Sequence, residues 1–238
     1  MWAIVVAGGS GRRFGSRKQF LPLAGRQVAA WSVRAARSVA DGVVLVVPAD
    51  TASDEGLPKP GASGDAGFGA THVVTGGATR SASVRAGMAA VPMDADIIIV
   101  HDAARPLAGV SLFAAVVEAV RTTGVDGAIP VVPVSDTLKR VEDGRIVETV
   151  SRDGLVAIQT PQAFVAAALR TAHVDGGEAT DDAGLLEASG LVVGTVEGDP
   201  RNLKLTRPED LALAEALLAE VSSSEALLAE ATPGARGI

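Results

Sequence analysis

Positive charge is concentrated at the amino end of this chain: Arg12, Arg13, Arg17, Lys18, Arg26, Arg34 and Arg37 fall within residues 1–40, with no acid among them. The first four lie in and just after a glycine-rich stretch, Ala7, Gly8, Gly9, Gly11 and Gly15, that follows an apolar run. Glycine lets backbone N–H groups close on an anion, and cations beside such a loop, here Arg13 and Lys18, neutralise charge that shifts during a reaction. The chemistry this suits is the handling of a chain of phosphates. A second cluster, His101, Asp102 and Arg105, stands just past the apolar Ile97-Ile-Ile-Val100. There Asp102 could hold a ribose hydroxyl or stand near a metal, and Arg105 could pair with a phosphate. His101 has no carboxylate or histidine at metal-ligand spacing and reads as structural. A third stretch sets Lys204 between Leu203 and Leu205, where a lysine either snorkels or turns into a polar cleft. A second glycine turn, Gly76-Gly-Ala-Thr-Arg-Ser-Ala-Ser83, opens a helix whose free N–H groups suit a base edge or an anion. Ordinary capping by Ser81 is the competing reading of that turn.

These residues need a scaffold that brings distant loops to one place. Short β-branched runs at 3–6, 43–47, 72–74, 97–100, 128–132 and 192–196 are mostly continuous apolar runs rather than alternating ones, as in strands buried on both faces. Between them, helical patterns fall at 28–39, 81–90, 112–122, 163–172, 183–188 and 208–220. The alternation predicts an α/β fold, a three-layer sandwich around a mostly parallel sheet, with ligands at the carboxyl ends of the strands. Thr206 to Glu209 fits a capping box for the last long helix. Residues 136–151 break the rhythm: two charged segments flank Asp143-Gly144, a type I′ hairpin signal. Such a hairpin is marginal alone and either packs on a partner subunit or stands as a flap in solvent.

The length of 238 residues suffices for one large α/β domain, and no apolar run approaches the 18 to 20 residues that cross a bilayer. The net charge of −7 opposes a general nucleic-acid binder, and the absence of cysteine removes disulfides and thiolate metal sites. A cytoplasmic location is the expectation. A dinucleotide-dependent reductase would put an acid about 20 residues beyond the first glycines. Here that region holds Arg34 and Arg37, with no acid before Asp41 and no tyrosine anywhere in the chain. Arg26, Arg34 and Arg37 otherwise read as the wet face of a helix.

Taken in order, AGGSGRRFG, KQFLPLAGR, GGATRSASV, VHDAARP, PVSDTLKR, TPQAF, TDDAGLLE and NLKLTRPEDL resemble the 2-C-methyl-D-erythritol 4-phosphate cytidylyltransferases of the non-mevalonate isoprenoid pathway. The resemblance implies a Rossmann-like nucleotidyltransferase domain over residues 1–220, a β-arm at about 136–152 and a flexible tail at 221–238. It implies that Ala7, Gly8, Gly9 and Gly11 hold the nucleotide, that Gly77, Ala78 and Ser83 read the cytosine, and that Asp102 and Ala103 also contact the nucleotide. Arg13 and Lys18 match the pair that stabilises the transition state, and Arg152 and Lys204 match those that position the attacking phosphate. Asp102, Arg105, Thr137, Thr160 and Thr180 match positions lining the methylerythritol phosphate site. Mg²⁺ held mainly by the CTP phosphates, no dedicated protein metal ligands, and a homodimer whose arm brings Thr137 and Arg152 to the neighbour's site complete the implied picture. Arg17 occupies a position where the family usually has proline, and the interval from Arg13 to Lys18 is shorter than usual, so Arg17 is a candidate to share the role of Lys18. A cytidylyltransferase for another polyol phosphate, such as ribitol 5-phosphate, would share the same loops.

Overall fold

The computed structural model describes residues 1–8, 17–53, 56–174 and 177–231, with side chains at 52–53 and 221–231 left aside. The strands are β1 (Trp2–Val6), β2 (Pro22–Leu23), β3 (Arg26–Gln27), β4 (Gly42–Val47), β5 (His72–Thr75), β6 (Ile97–Asp102), β7 (Gly127–Pro133), β8 (Leu138–Glu142), β9 (Arg145–Val150), β10 (Val156–Ile158), β11 (Gln162–Val165) and β12 (Val193–Glu197). The helices are α1 (Val28–Arg37), α2 (Arg80–Met88), α3 (Val110–Thr122), α4 (Ala166–Ala172), α5 (Asp182–Ala188) and α6 (Glu209–Ala231).

Eight strands form one sheet in which β6, β1, β4 and β5 run parallel side by side. Strand β7 pairs in parallel with β12 on one edge and antiparallel with β11 and then β10 on the other. Of the apolar runs, β4 and β6 are buried at every residue because helices cover both faces, whereas β5 and β12, which pair on one side only, are mostly half-buried or exposed. Ala3 and Val5 face the layer of α1 and α3, through Val33, Phe113 and Val116. Ile4 and Val44 face the layer of α2, α4 and α5, through Val84, Leu169 and Leu186. Helix α2 presses close enough that a Cβ at Gly87 would stand 2.5 Å from Ile4 Cγ2, so only glycine fits there.

Three local expectations change. The helix read at 163–172 begins only at Ala166; Gln162–Val165 is strand β11, antiparallel to both β6 and β7. Its apolar residues fit either period, and burial of Phe164 against Gly127, whose Cβ would lie 2.5 Å from the ring, decides for the strand. The cap of α2 is Thr79, whose side chain accepts from Ala82 N, while Ser81 is buried inside the helix. At α6 the capping carboxylate is Asp210 rather than Glu209: it accepts from Thr206 N, Thr206 Oγ1 and Arg207 N at 2.6, 2.9 and 2.8 Å. Helix α6 itself runs from Glu209 to Ala231. The hairpin forms as β8–β9, with both Asp143 and Gly144 at positive φ, the requirement of a type I′ turn. No helix among the described residues is long and apolar enough to cross a membrane.

Candidate active site

Register levels the carboxyl ends of the central strands. Val6 stands opposite Asp102 on one side and Val46 on the other. The reversed strand β11 brings its beginning, not its end, to the same rim, so Thr160 arrives beside Asp102. The stretch after β12 is laced to both. Leu205 N donates to Ala104 O at 2.8 Å, and Asn202 Nδ2 donates to Thr160 O at 2.9 Å. Lys204 is thereby carried into the rim instead of outwards. A cavity of about 260 Å³ results, lined by Asp102, Arg105, Thr160, Thr180 and Lys204, with Arg80 and Asp181 completing its charged wall.

Asp102 is the electrostatic centre. Its Oδ2 accepts from Lys204 Nζ at 2.6 Å and its Oδ1 from Arg80 Nε at 3.4 Å. Burial alone would push this carboxyl up, but the two cations outweigh it and hold the group well below the usual carboxylate range. It is therefore ionised at any working pH. Arg105 is placed by backbone oxygens rather than by an acid: its guanidinium donates to Asn202 O at 2.8 Å and to Ile158 O at 3.2 Å. An arginine so held keeps its charge turned to the cavity without spending it on a carboxylate. Burial lowers its pKa, opposed by Asp102, yet an arginine remains a cation.

Beneath this wall lies a neutral support. His101 is fully buried against Phe113, with ring centroids 5.0 Å apart, and burial pushes its pKa down to about 4. With the imidazole neutral, Nε2–H donates to Arg105 O at 3.2 Å and Nδ1 accepts from the Thr160 hydroxyl at 3.0 Å. That hydroxyl in turn accepts from Asp102 N at 3.0 Å. One tautomer satisfies the whole chain, and His101 has the structural role read from its sequence context.

The glycine turns adjoin this cavity. Ala7 is buried, its N–H bonded to Val46 O and its carbonyl to Gln19 Nε2 at 2.6 Å, which ties the 3₁₀ turn Lys18–Phe20 to the end of β1. Cβ atoms at Gly8 and Gly76 would stand 3.1 and 2.8 Å from Ser83 Oγ, so both glycines close on the start of α2. Gly77 folds so tightly on Ala82 that a Cβ would lie 2.4 Å from Ala82 Cβ. Ser83 is buried and donates to Thr79 O at 2.8 Å, while Ala78 is exposed. Ala103 is buried behind the rim, its N–H on Val6 O.

Other candidates stand elsewhere. Gly9, Gly11 and Arg13 lie outside the described residues. Thr137 and Arg152 sit at the root of the β8–β9 hairpin, away from the cavity; Arg152 donates to Val134 O and Ser135 O. Arg17 is committed to an ion pair with Asp50. The sequence reading overlooked Arg80, Asp182, Gln159 and Asn202. Arg80 stands within the quoted GGATRSASV and Asp182 within TDDAGLLE, but nothing local shows that they meet. Among the described residues no group of three or more His, Cys, Asp or Glu could hold a metal ion.

Comparison with known proteins adds a consistent result. Residues 1–220 match the model of the family described as IspD: 2-C-methyl-D-erythritol 4-phosphate cytidylyltransferase. The chain is 44% identical over 224 residues to a 2-C-methyl-D-erythritol 4-phosphate cytidylyltransferase of Cereibacter sphaeroides, covering 91% of this chain and 96% of that protein. It is 41% identical over 227 residues to a bifunctional enzyme IspD/IspF of Nitratidesulfovibrio vulgaris, covering 90% of this chain but 57% of that protein. The chain thus spans little more than half the length of such bifunctional relatives. The crystal structure of the Thermus thermophilus cytidylyltransferase superposes with a TM-score of 0.74 at 36% identity, covering 91% of this chain and 98% of that one.

Proposed function

The chain belongs to the 2-C-methyl-D-erythritol 4-phosphate cytidylyltransferase family, and from that premise we propose that it transfers CMP from CTP to 2-C-methyl-D-erythritol 4-phosphate. A phosphate oxygen of the acceptor attacks the α-phosphorus of CTP in line. The bond from that phosphorus to the β-phosphate oxygen breaks, and pyrophosphate leaves with the electron pair. No covalent enzyme intermediate is needed; positioning and charge neutralisation carry the step. Lys204 and Arg105 hold the incoming phosphate, and Lys204 trades Asp102 for it, while Thr160 keeps the Asp102 peptide in place from below. The turns at Ala7–Gly8 and Gly76–Ser83 take the nucleotide, and Arg13 and Lys18 balance charge on the departing pyrophosphate. The observation that carries this reading is the convergence of Asp102, Arg105 and Lys204, from stretches a hundred residues apart, on one cavity beside two glycine turns.

Mg²⁺ fits this site only as a partner of the substrate. The one carboxylate at the centre, Asp102, is already spanned by two cations, whereas triphosphate oxygens are the hard donors this ion prefers. Bound there, it would neutralise charge as pyrophosphate forms. We further propose a homodimer through the β8–β9 arm, in the cytoplasm, with Thr137 and Arg152 serving the neighbouring site. Its support is apolar surface on the arm: Val141, Ile146 and Val147 are 57%, 67% and 51% exposed.

The test is pyrophosphate release from CTP with 2-C-methyl-D-erythritol 4-phosphate and, in parallel, ribitol 5-phosphate. Release with the first and little with the second is expected. Preference for ribitol 5-phosphate transfers the assignment to that acceptor, and release with neither defeats it.

A further inference from the structure

The cavity contains a cation that the proposed reaction does not use. Arg80, in the first turn of α2, reaches two carboxylates that do not touch each other: Nε donates to Asp102 Oδ1 at 3.4 Å and NH1 to Asp182 Oδ2 at 2.7 Å. Asp182 is buried without exposure, and its other oxygen pairs with Nε2 of the buried His173 at 3.0 Å. Arg80 is thus anchored from behind, with its side chain 22% exposed. Lys204, the other cation on Asp102, is 44% exposed and stands at the mouth.

The proposed reaction asks Lys204 to leave Asp102 for the acceptor phosphate. A buried carboxylate stripped of its only counter-ion resists that exchange, because desolvation is then unrepaid. Two acids and two cations balance in the resting cluster of Asp102, Asp182, Arg80 and Lys204. When Lys204 swings out, Arg80 is the cation still hydrogen-bonded to Asp102, and Arg105 adds only an unbonded attraction across the cavity. A guanidinium suits this post, since Nε and NH1 of its rigid fork reach acceptors that stand apart, whereas the three N–H groups of an ammonium all radiate from one nitrogen and cannot span them. The longer contact, to Asp102, leaves room to shorten as Lys204 departs.

We infer that Arg80 is a positioning residue: braced by Asp182, it keeps Asp102 in place and compensated, and so frees Lys204 for the acceptor phosphate. This rests on the reading that Lys204 meets that phosphate. Arg80→Lys and Arg80→Gln test it in steady-state pyrophosphate release at saturating CTP. The acceptor KM is expected to rise roughly ten-fold in both, with the CTP dissociation constant changed far less. Arg80→Lys should also keep the melting temperature that Arg80→Gln loses, since one ammonium can still serve Asp182. A merely structural role would lower melting temperature and active fraction while leaving KM alone. An unchanged acceptor KM, full rescue of KM by lysine, or an equal loss of CTP affinity overturns the inference. Wild-type protein inactive with every polyol phosphate would defeat the activity reading instead. Calorimetry with inorganic phosphate then decides. Affinity that Lys204→Met abolishes and Arg80→Lys weakens supports the role of Arg80, whereas affinity level in Arg80→Lys, or absent from wild type, refutes it.

Discussion

Thr160→Val is the most informative substitution in the support beneath the cavity, because it keeps volume and shape and deletes one hydroxyl. That hydroxyl accepts from Asp102 N at 3.0 Å and donates to His101 Nδ1 at 3.0 Å, and all three residues are buried. Valine leaves a dry N–H and a dry ring nitrogen without partners. Each orphan costs about 1–3 kcal/mol, and some relaxation is expected, so the loss should be about 2–4 kcal/mol. Thr160→Ser keeps the hydroxyl and removes a methyl, which costs about 1 kcal/mol. Urea unfolding followed by fluorescence measures both. Activity should follow geometry: the Asp102 peptide loses its tether, and a small displacement of its carboxylate lowers the acceptor kcat/KM by roughly 10²-fold in Thr160→Val, with serine near wild type. A valine variant within about 0.5 kcal/mol of wild type, or a serine variant equally damaged, would refute the reasoning.

Three other outcomes follow from the same geometry. Lys204→Ala removes the cation assigned to the attacking phosphate and should raise the barrier by roughly 3–4 kcal/mol; near-normal pyrophosphate release from CTP contradicts that role. His101 is pushed down to about 4 by burial from an ordinary value of 6.5, so the unfolded chain takes up its proton first. The stability it contributes is complete above pH 6.5 and is lost as pH falls from there to 4, about 3 kcal/mol in all. Urea unfolding across that window checks it, and His101→Gln should flatten the slope. Ile146→Asp on the arm, where the side chain is 67% exposed, should weaken self-association in sedimentation velocity without lowering the melting temperature of the monomer; an unchanged dimer refutes the arm as the interface.

What the sequence made legible follows burial. Strands β1, β4 and β6 announce themselves because a strand covered on both faces must be apolar throughout, and Asp102 and Arg105 stand out as the first charges after such a run. Lys204 was visible as an oddity between two leucines; that it turns to Asp102 depends on the Leu205–Ala104 bond, which no local pattern encodes. Strand β11 was hidden because Ala163-Phe-Val-Ala-Ala-Ala-Leu169 satisfies a helical stripe until Phe164 is seen over Gly127. Arg80 and Asp182 are 102 positions apart, so their bond exists only once the sheet has formed. Each sits in a stretch with a sufficient local explanation, a glycine turn for one and a helix start for the other, and this concealed the contact.

The reversed strand has a consequence for how such a chain tolerates change. In a parallel sheet, working loops come after the strands, and the segments before them can vary in length at little cost to a binding rim. Here β11 exports that tolerance to its far end. One residue added between Ile158 and Gln162 would lift Thr160 off Asp102 and His101, while one added after Val165 would fall at the opposite end of the strands, away from the rim. Length variation among chains built this way should therefore avoid the approach to β11 and collect beyond its exit.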